Sequence, residues 1–129
     1  MFSLMIHAHA ADLDASFAFY EKLGFGVHAD DVDGEGTRCL RLTHPQSQGL
    51  LLNLKRAPYL LRPAPARDLP SPLWPVLFAI VVDDYVDWID RLKTAGIAIE
   101  YKESQPWGIW LHLRDPAGNL LCITSSDLY

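Results

Sequence analysis

Five histidines and two cysteines are the side chains of this 129-residue chain best suited to nucleophilic or metal chemistry. Cys122 lies in the stretch DPAGNLLCI, and His112 stands in WLHLRD just before it. If the intervening turn pairs Arg114 with Leu120, His112 and Cys122 face one side of a hairpin, where an imidazole could act as base to a thiol. That chemistry needs an exposed thiolate and oxyanion donors, and no such donors are identifiable in the sequence. His7 and His9, alternate residues of FSLMIHAHA, share with His112 and Cys122 the donor types of a Zn²⁺ site. Strand histidines two positions apart are separated by about seven ångströms, so they converge on one ion only with help from other strands. No CxxC pair is present, and Cys39 and Cys122 both fall in apolar runs, where they read as small buried thiols.

These residues need elements to position them. Phe2 to Ala10 alternates as a strand, with Leu4, Ile6, Ala8 and Ala10 on one face and Met5, His7 and His9 on the other. Asp12 or Asp14 can cap a helix through SFAFYEKL, with Phe17, Tyr20 and Leu23 or Gly24 on its apolar stripe and Gly24 ending it. GFGVHAD, TRCLRLTH and GLLLNLK follow as strands, with DVDGEG as the turn between the first two. Residues 56–75 hold most of the nine prolines and read as a semi-rigid connection. The pattern then restarts: VLFAIVV as strand, DDYVDWIDRLKTAG as helix, IAIEYKE as strand, and WGIWLHLRD with NLLCITS as a hairpin across DPAG.

The landmarks repeat. Asp12 and Gly24 recur as Asp84 and Gly96, seventy-two residues on, so the chain reads as an α+β duplication of two paired β-α-β-β-β modules forming a cleft or half-barrel. The boundaries are 1–55 for the first module, 56–75 for the connection and 76–129 for the second, all within one compact domain. A four-stranded sheet cannot cover both faces with one helix, and a face left open is a natural small-molecule site or, failing that, a filled core. The net charge of −5 with eleven scattered basic residues argues against a nucleic-acid surface. No apolar run is long enough for a membrane helix and no cleavable leader is evident, so a soluble cytoplasmic protein is expected.

The segments ADLDASFAFYEKLGF, FAIVVDDYVDWIDRLKTAGI and DPAGNLLCI together resemble the vicinal oxygen chelate superfamily, which includes glyoxalase I, extradiol dioxygenases, fosfomycin-resistance transferases and bleomycin-resistance binding proteins. The resemblance spans nearly the whole chain apart from the proline-rich connection, and it implies the fold far more firmly than any one activity. In metal-dependent members, His, Gln or Glu ligands come from the opening strand of each module and a Glu from the strand after DPxGN. By the resemblance these positions are Met5, Leu77 and Cys122 here. A thioether, an alkyl chain and a thiol are poor substitutes for imidazole and carboxylate toward Zn²⁺, Ni²⁺, Mn²⁺ or Fe²⁺. No metal or other cofactor is therefore expected.

The leading expectation is a metal-independent small-molecule binding protein that sequesters an aromatic or amphipathic drug or metabolite, as antibiotic-resistance members of the family do. Met5, Leu77 and Cys122 would supply apolar walls, His7 and His112 hydrogen bonds, and Trp107 and Trp110 stacking surfaces. Trp74 and Trp107 are equally suited to a rim or dimer contact, while Trp88, within the second helix, reads as core or interface. Arg38, Arg41 and Asn53 carry groups that could orient a polar ligand, but such residues are more often solvated, and that reading is taken for them. The resemblance also implies a homodimer. Two alternatives remain: a glyoxalase- or dioxygenase-like metalloenzyme with a rearranged site, and a structural or regulatory dimer with a filled interior.

Overall fold

The computed structural model describes residues 2–61, 76–106 and 108–125. Their elements run β1 (Leu4–His9), α1 (Leu13–Lys22), β2 (Gly26–Val32), β3 (Arg38–His44) and β4 (Ser47–Lys55), followed by a short 3-10 turn at Pro58–Leu60. The order then repeats as β5 (Ala79–Val82), α2 (Tyr85–Thr94), β6 (Tyr101–Gln105), β7 (Gly108–Arg114) and β8 (Leu120–Ser125). The fold is α+β with two β-α-β-β-β modules, each a four-stranded mixed sheet. Two compact units result, one of Met1–Arg62 with Pro116–Asn119 and one of Pro63–Asp115 with Leu120–Tyr129.

The first sheet has the order β1-β4-β3-β2, with β1 parallel to β4 and the other pairs antiparallel. Its core face consists of Ala8, Leu40, Leu42, Leu52 and Leu54, all buried, with α1 packed on β4. Each of those leucines contributes roughly 1.5–3 kcal/mol through burial. Asp12 caps α1 by accepting from the Ala15 amide at 3.1 Å. The stripe of α1 is Ser16, Phe19, Tyr20 and Leu23, so Phe19 occupies the place expected for Phe17, which is only half-buried. A bulge between Val27 and Ala29 interrupts β2. The Asp33 carboxylate shapes the β2–β3 turn, accepting from the Glu35 and Thr37 amides at 2.8 and 3.0 Å.

The second sheet has the order β5-β8-β7-β6, with β5 parallel to β8. Leu111, Leu113, Leu121 and Ile123 make its core face, with α2 packed on β8 and Leu92 buried. Asp84 caps α2 through the Asp87 amide at 3.1 Å. The hairpin register is the expected one, Arg114 opposite Leu120 and His112 opposite Cys122. The opening strand is shorter than expected. Only Ala79–Val82 is regular, although the Leu77 amide still donates to the Leu120 carbonyl at 2.7 Å.

Candidate functional site

The open face of the first sheet is set by register, because directly opposed residues share a face. His7 stands opposite Asn53, Asn53 opposite Arg41, and Arg41 opposite Ala29, a row across all four strands that is polar on β1, β4 and β3. Met5, opposite Leu51, is on the same face and 40% exposed. Asn53 Nδ2 donates to His7 Nδ1 at 3.2 Å, and Arg41 Nη1 reaches Asp31 Oδ2 at 3.5 Å. Asn53 Oδ1 and Arg41 Nε are both buried without a hydrogen-bond partner, and an unmet buried polar group costs about 1–3 kcal/mol.

One expectation changes here. Asn53 is only 5% exposed, so it is not part of a solvated face. His9 is buried as well. Its Nδ1 accepts from the Ala57 amide at 2.9 Å, and its carbonyl accepts from Asn119 Nδ2 at 2.9 Å. His9 is thus a structural residue, and both partners come from distant sequence. Arg38 does match the solvated reading, since it is exposed and paired with Asp30 at 2.9 Å.

On the second sheet, Ala79, Cys122, His112 and Tyr101 form one row and Val81, Thr124, Trp110 and Glu103 the next. Leu77, two residues before Ala79, continues the alternation toward Leu120. The structure therefore brings Trp110, His112 and Cys122 onto one sheet, with Leu77 in the bend just before β5, and Met5 and His7 onto the other; Trp74 and Trp107 lie outside the described residues. Tyr101 and Glu103 join the second group without having been singled out, since the pairing of β6 with β7 carries no turn motif in the sequence. The Tyr101 and His112 rings lie 5.7 Å apart. Trp88 is half-buried in α2, with the Arg91 guanidinium stacked 4.2 Å from its ring centre.

Electrostatics decide what this face can do. Burial pushes the Cys122 thiol up to about 12, against a weaker opposing hydrogen bond from the Leu111 backbone. It is therefore a protonated, buried thiol at neutral pH, unsuited to nucleophilic attack even with His112 opposite. Burial also holds His112 below the usual histidine range, outweighing the pull of Glu100 and Glu103. A neutral imidazole, with one N–H donor and one nitrogen acceptor, is the form it takes at neutral pH. Arg114 engages Glu100 at 2.8 Å, which holds that carboxyl below its usual range.

The donor set does not fit the divalent ion that the resemblance implies for enzymatic members. Met5 offers an exposed thioether, Leu77 nothing, and Cys122 one buried thiol in place of imidazole and carboxylate donors. Among the described residues, no three His, Cys, Asp or Glu side chains gather into a metal-binding group. Two open grooves on the first unit, of about 540 and 460 Å³, are lined by other residues, the first around Asp12 and Arg38 and the second around Phe25 and His44.

Over residues 5–123 the chain matches the Glyoxalase/Bleomycin resistance protein/Dioxygenase superfamily. It belongs to that family. Among solved structures it is similar to UcmS2, at 24% identity and TM-score 0.72, covering 96% of this chain and 97% of that one. It is also similar to TnmS3, an antibiotic binding protein from Streptomyces sp. CB03234, at 22% identity and TM-score 0.68, covering 97% and 95%. A bleomycin-binding protein complexed with bleomycin matches at 24% identity and TM-score 0.65, covering 98% of each chain. These likenesses establish the fold. No curated protein sequence matches the chain.

Proposed function

We propose that this chain is a metal-independent binding protein that sequesters an aromatic or amphipathic small molecule, a drug or a metabolite. The observation that carries the reading is Cys122: at the position where the resemblance expects a ligating carboxylate, the strand presents a buried, protonated thiol. In this reading the contacts are Met5, Leu77 and Cys122 as apolar walls, Trp110 and Trp107 as stacking surfaces, and His7 and His112 as hydrogen-bonding groups. In this reading modules 1–55 and 76–129, joined through 56–75, are parts of one functional domain. The two free, buried thiols suit a reducing compartment, so the protein acts in the cytoplasm, and as a homodimer. Among the described residues, no helix is long and apolar enough to cross a membrane.

The test has two arms. Protein purified without chelator or tag is dialysed against Zn²⁺, Ni²⁺, Mn²⁺ and Fe²⁺ and its metal content measured; tryptophan fluorescence is then titrated with planar aromatic compounds. The expected result is no stoichiometric metal and saturable quenching, weakened by Met5→Ala and Cys122→Ala and spared by His9→Ala. Near-stoichiometric metal would overturn the reading in favour of an enzyme.

A further inference from the structure

The polar row of the first sheet has a chemistry of its own. Asn53 and Arg41 are direct cross-strand partners, so their side chains leave the same face at adjacent positions. With Nδ2 donating to His7, Asn53 leaves Oδ1 as an acceptor with no donor, and beside it Arg41 Nε is a donor with no acceptor. Buried polar groups are nearly always satisfied, and two orphans of opposite sense on neighbouring strands make a matched pair.

We propose that this pair is the recognition site for a neutral, planar amide, a carboxamide or lactam edge carried by the bound molecule. Arg41 Nε–H donates to the ligand carbonyl and Asn53 Oδ1 accepts from the ligand N–H. The inference deepens the binding reading above and rests on it. Charge selects the neutral group. Asp31 already lies against Arg41, so a carboxylate ligand meets a balanced cation on one side and the lone pairs of Asn53 Oδ1 on the other. A cationic amidinium satisfies Asn53 but brings only donors, leaving Arg41 Nε without an acceptor. Of these three groups, only the amide supplies both a donor and an acceptor without net charge. Access requires the exposed His7 side chain to swing aside from Asn53, while Arg41 Nε and Asn53 Oδ1 keep their places.

Three near-isosteric probes separate these cases: benzamide, benzoate and benzamidine, titrated into ¹⁵N-labelled protein while the Arg41 Nε–H and Asn53 side-chain amide resonances are followed. Benzamide is expected to shift both resonances saturably, with the other two at least fivefold weaker. Arg41→Lys, which keeps the charge beside Asp31 but removes Nε, and Asn53→Leu are each expected to weaken benzamide at least fivefold. Asn53→Leu should melt no lower than the wild type, because it removes an unsatisfied buried group, and this separates lost recognition from lost folding. Equal binding of the three probes, or unchanged benzamide binding in both variants, would overturn the proposal. If planar aromatics quench tryptophan while benzamide leaves both resonances in place, the amide site falls and the binding reading stands. If no aromatic compound quenches saturably, both fall.

Discussion

His7 and His9 leave the same face of β1, yet one is exposed and the other buried. Alternation assigns a face but not what covers it, and His9 is enclosed by partners forty-eight and one hundred and ten residues away. Cys122 and His112 were more legible, because the DPAG turn fixes the register that sets them opposite each other. Their ionisation was not, since it is set chiefly by burial. Two outcomes test it. Neither Cys39 nor Cys122 is expected to react with a disulfide reagent at pH 8 in the native protein, and both are expected to react in guanidinium; rapid native labelling of Cys122 would revive it as a nucleophile. Because His112 is held below its ordinary value of 6.5, the unfolded chain takes up that proton first as pH falls. The stability it contributes is complete above about 6.5 and is lost as pH drops through that value toward the folded one. Melting temperature should therefore fall between pH 7 and pH 5, and His112→Gln should flatten the fall. Glu100, lowered from 4.5 by Arg114, acts at more acidic pH.

At the scale of elements, the paired signals of Asp before a helix and Gly after it placed both helices, and the caps at Asp12 and Asp84 bear this out. Loss of the Asp12 side chain in Asp12→Ala is expected to cost about 1 kcal/mol in denaturant unfolding. Gly24 is the more demanding position. Its φ is +102°, and an added Cβ would lie 2.6 Å from His44 Nε2, the atom that meets the Leu23 carbonyl at 3.1 Å. Gly24→Ala is therefore expected to cost about 1 to 3 kcal/mol, more than loss of the cap. What periodicity missed is equally local. The β2 bulge resets alternation by one residue, and the α1 stripe turned on whether Phe17 or Phe19 met the sheet, a choice two equally apolar residues leave to packing.

For the whole molecule, the seventy-two-residue repetition and the three motif segments were enough to reach the family. The ligand was not reachable in the same way, because this fold holds binding proteins and enzymes on one frame and the difference lies in a few side chains. Repetition also suggests two halves divided once along the chain, whereas the first unit includes Pro116–Asn119. Asn119 is buried, and its bond to the His9 carbonyl gives the Asn of DPAGN a structural task. Asn119→Ala should lower stability by about 1 to 2 kcal/mol, read by thermal or chemical unfolding. This one bond also has a meaning in time. During synthesis the strand bearing His9 leaves the ribosome well before Asn119, and its carbonyl waits for a residue made more than a hundred positions later. The first unit can start to fold during translation but is completed only once residue 119 has emerged, and a ribosome stalled before that residue would display it unfinished.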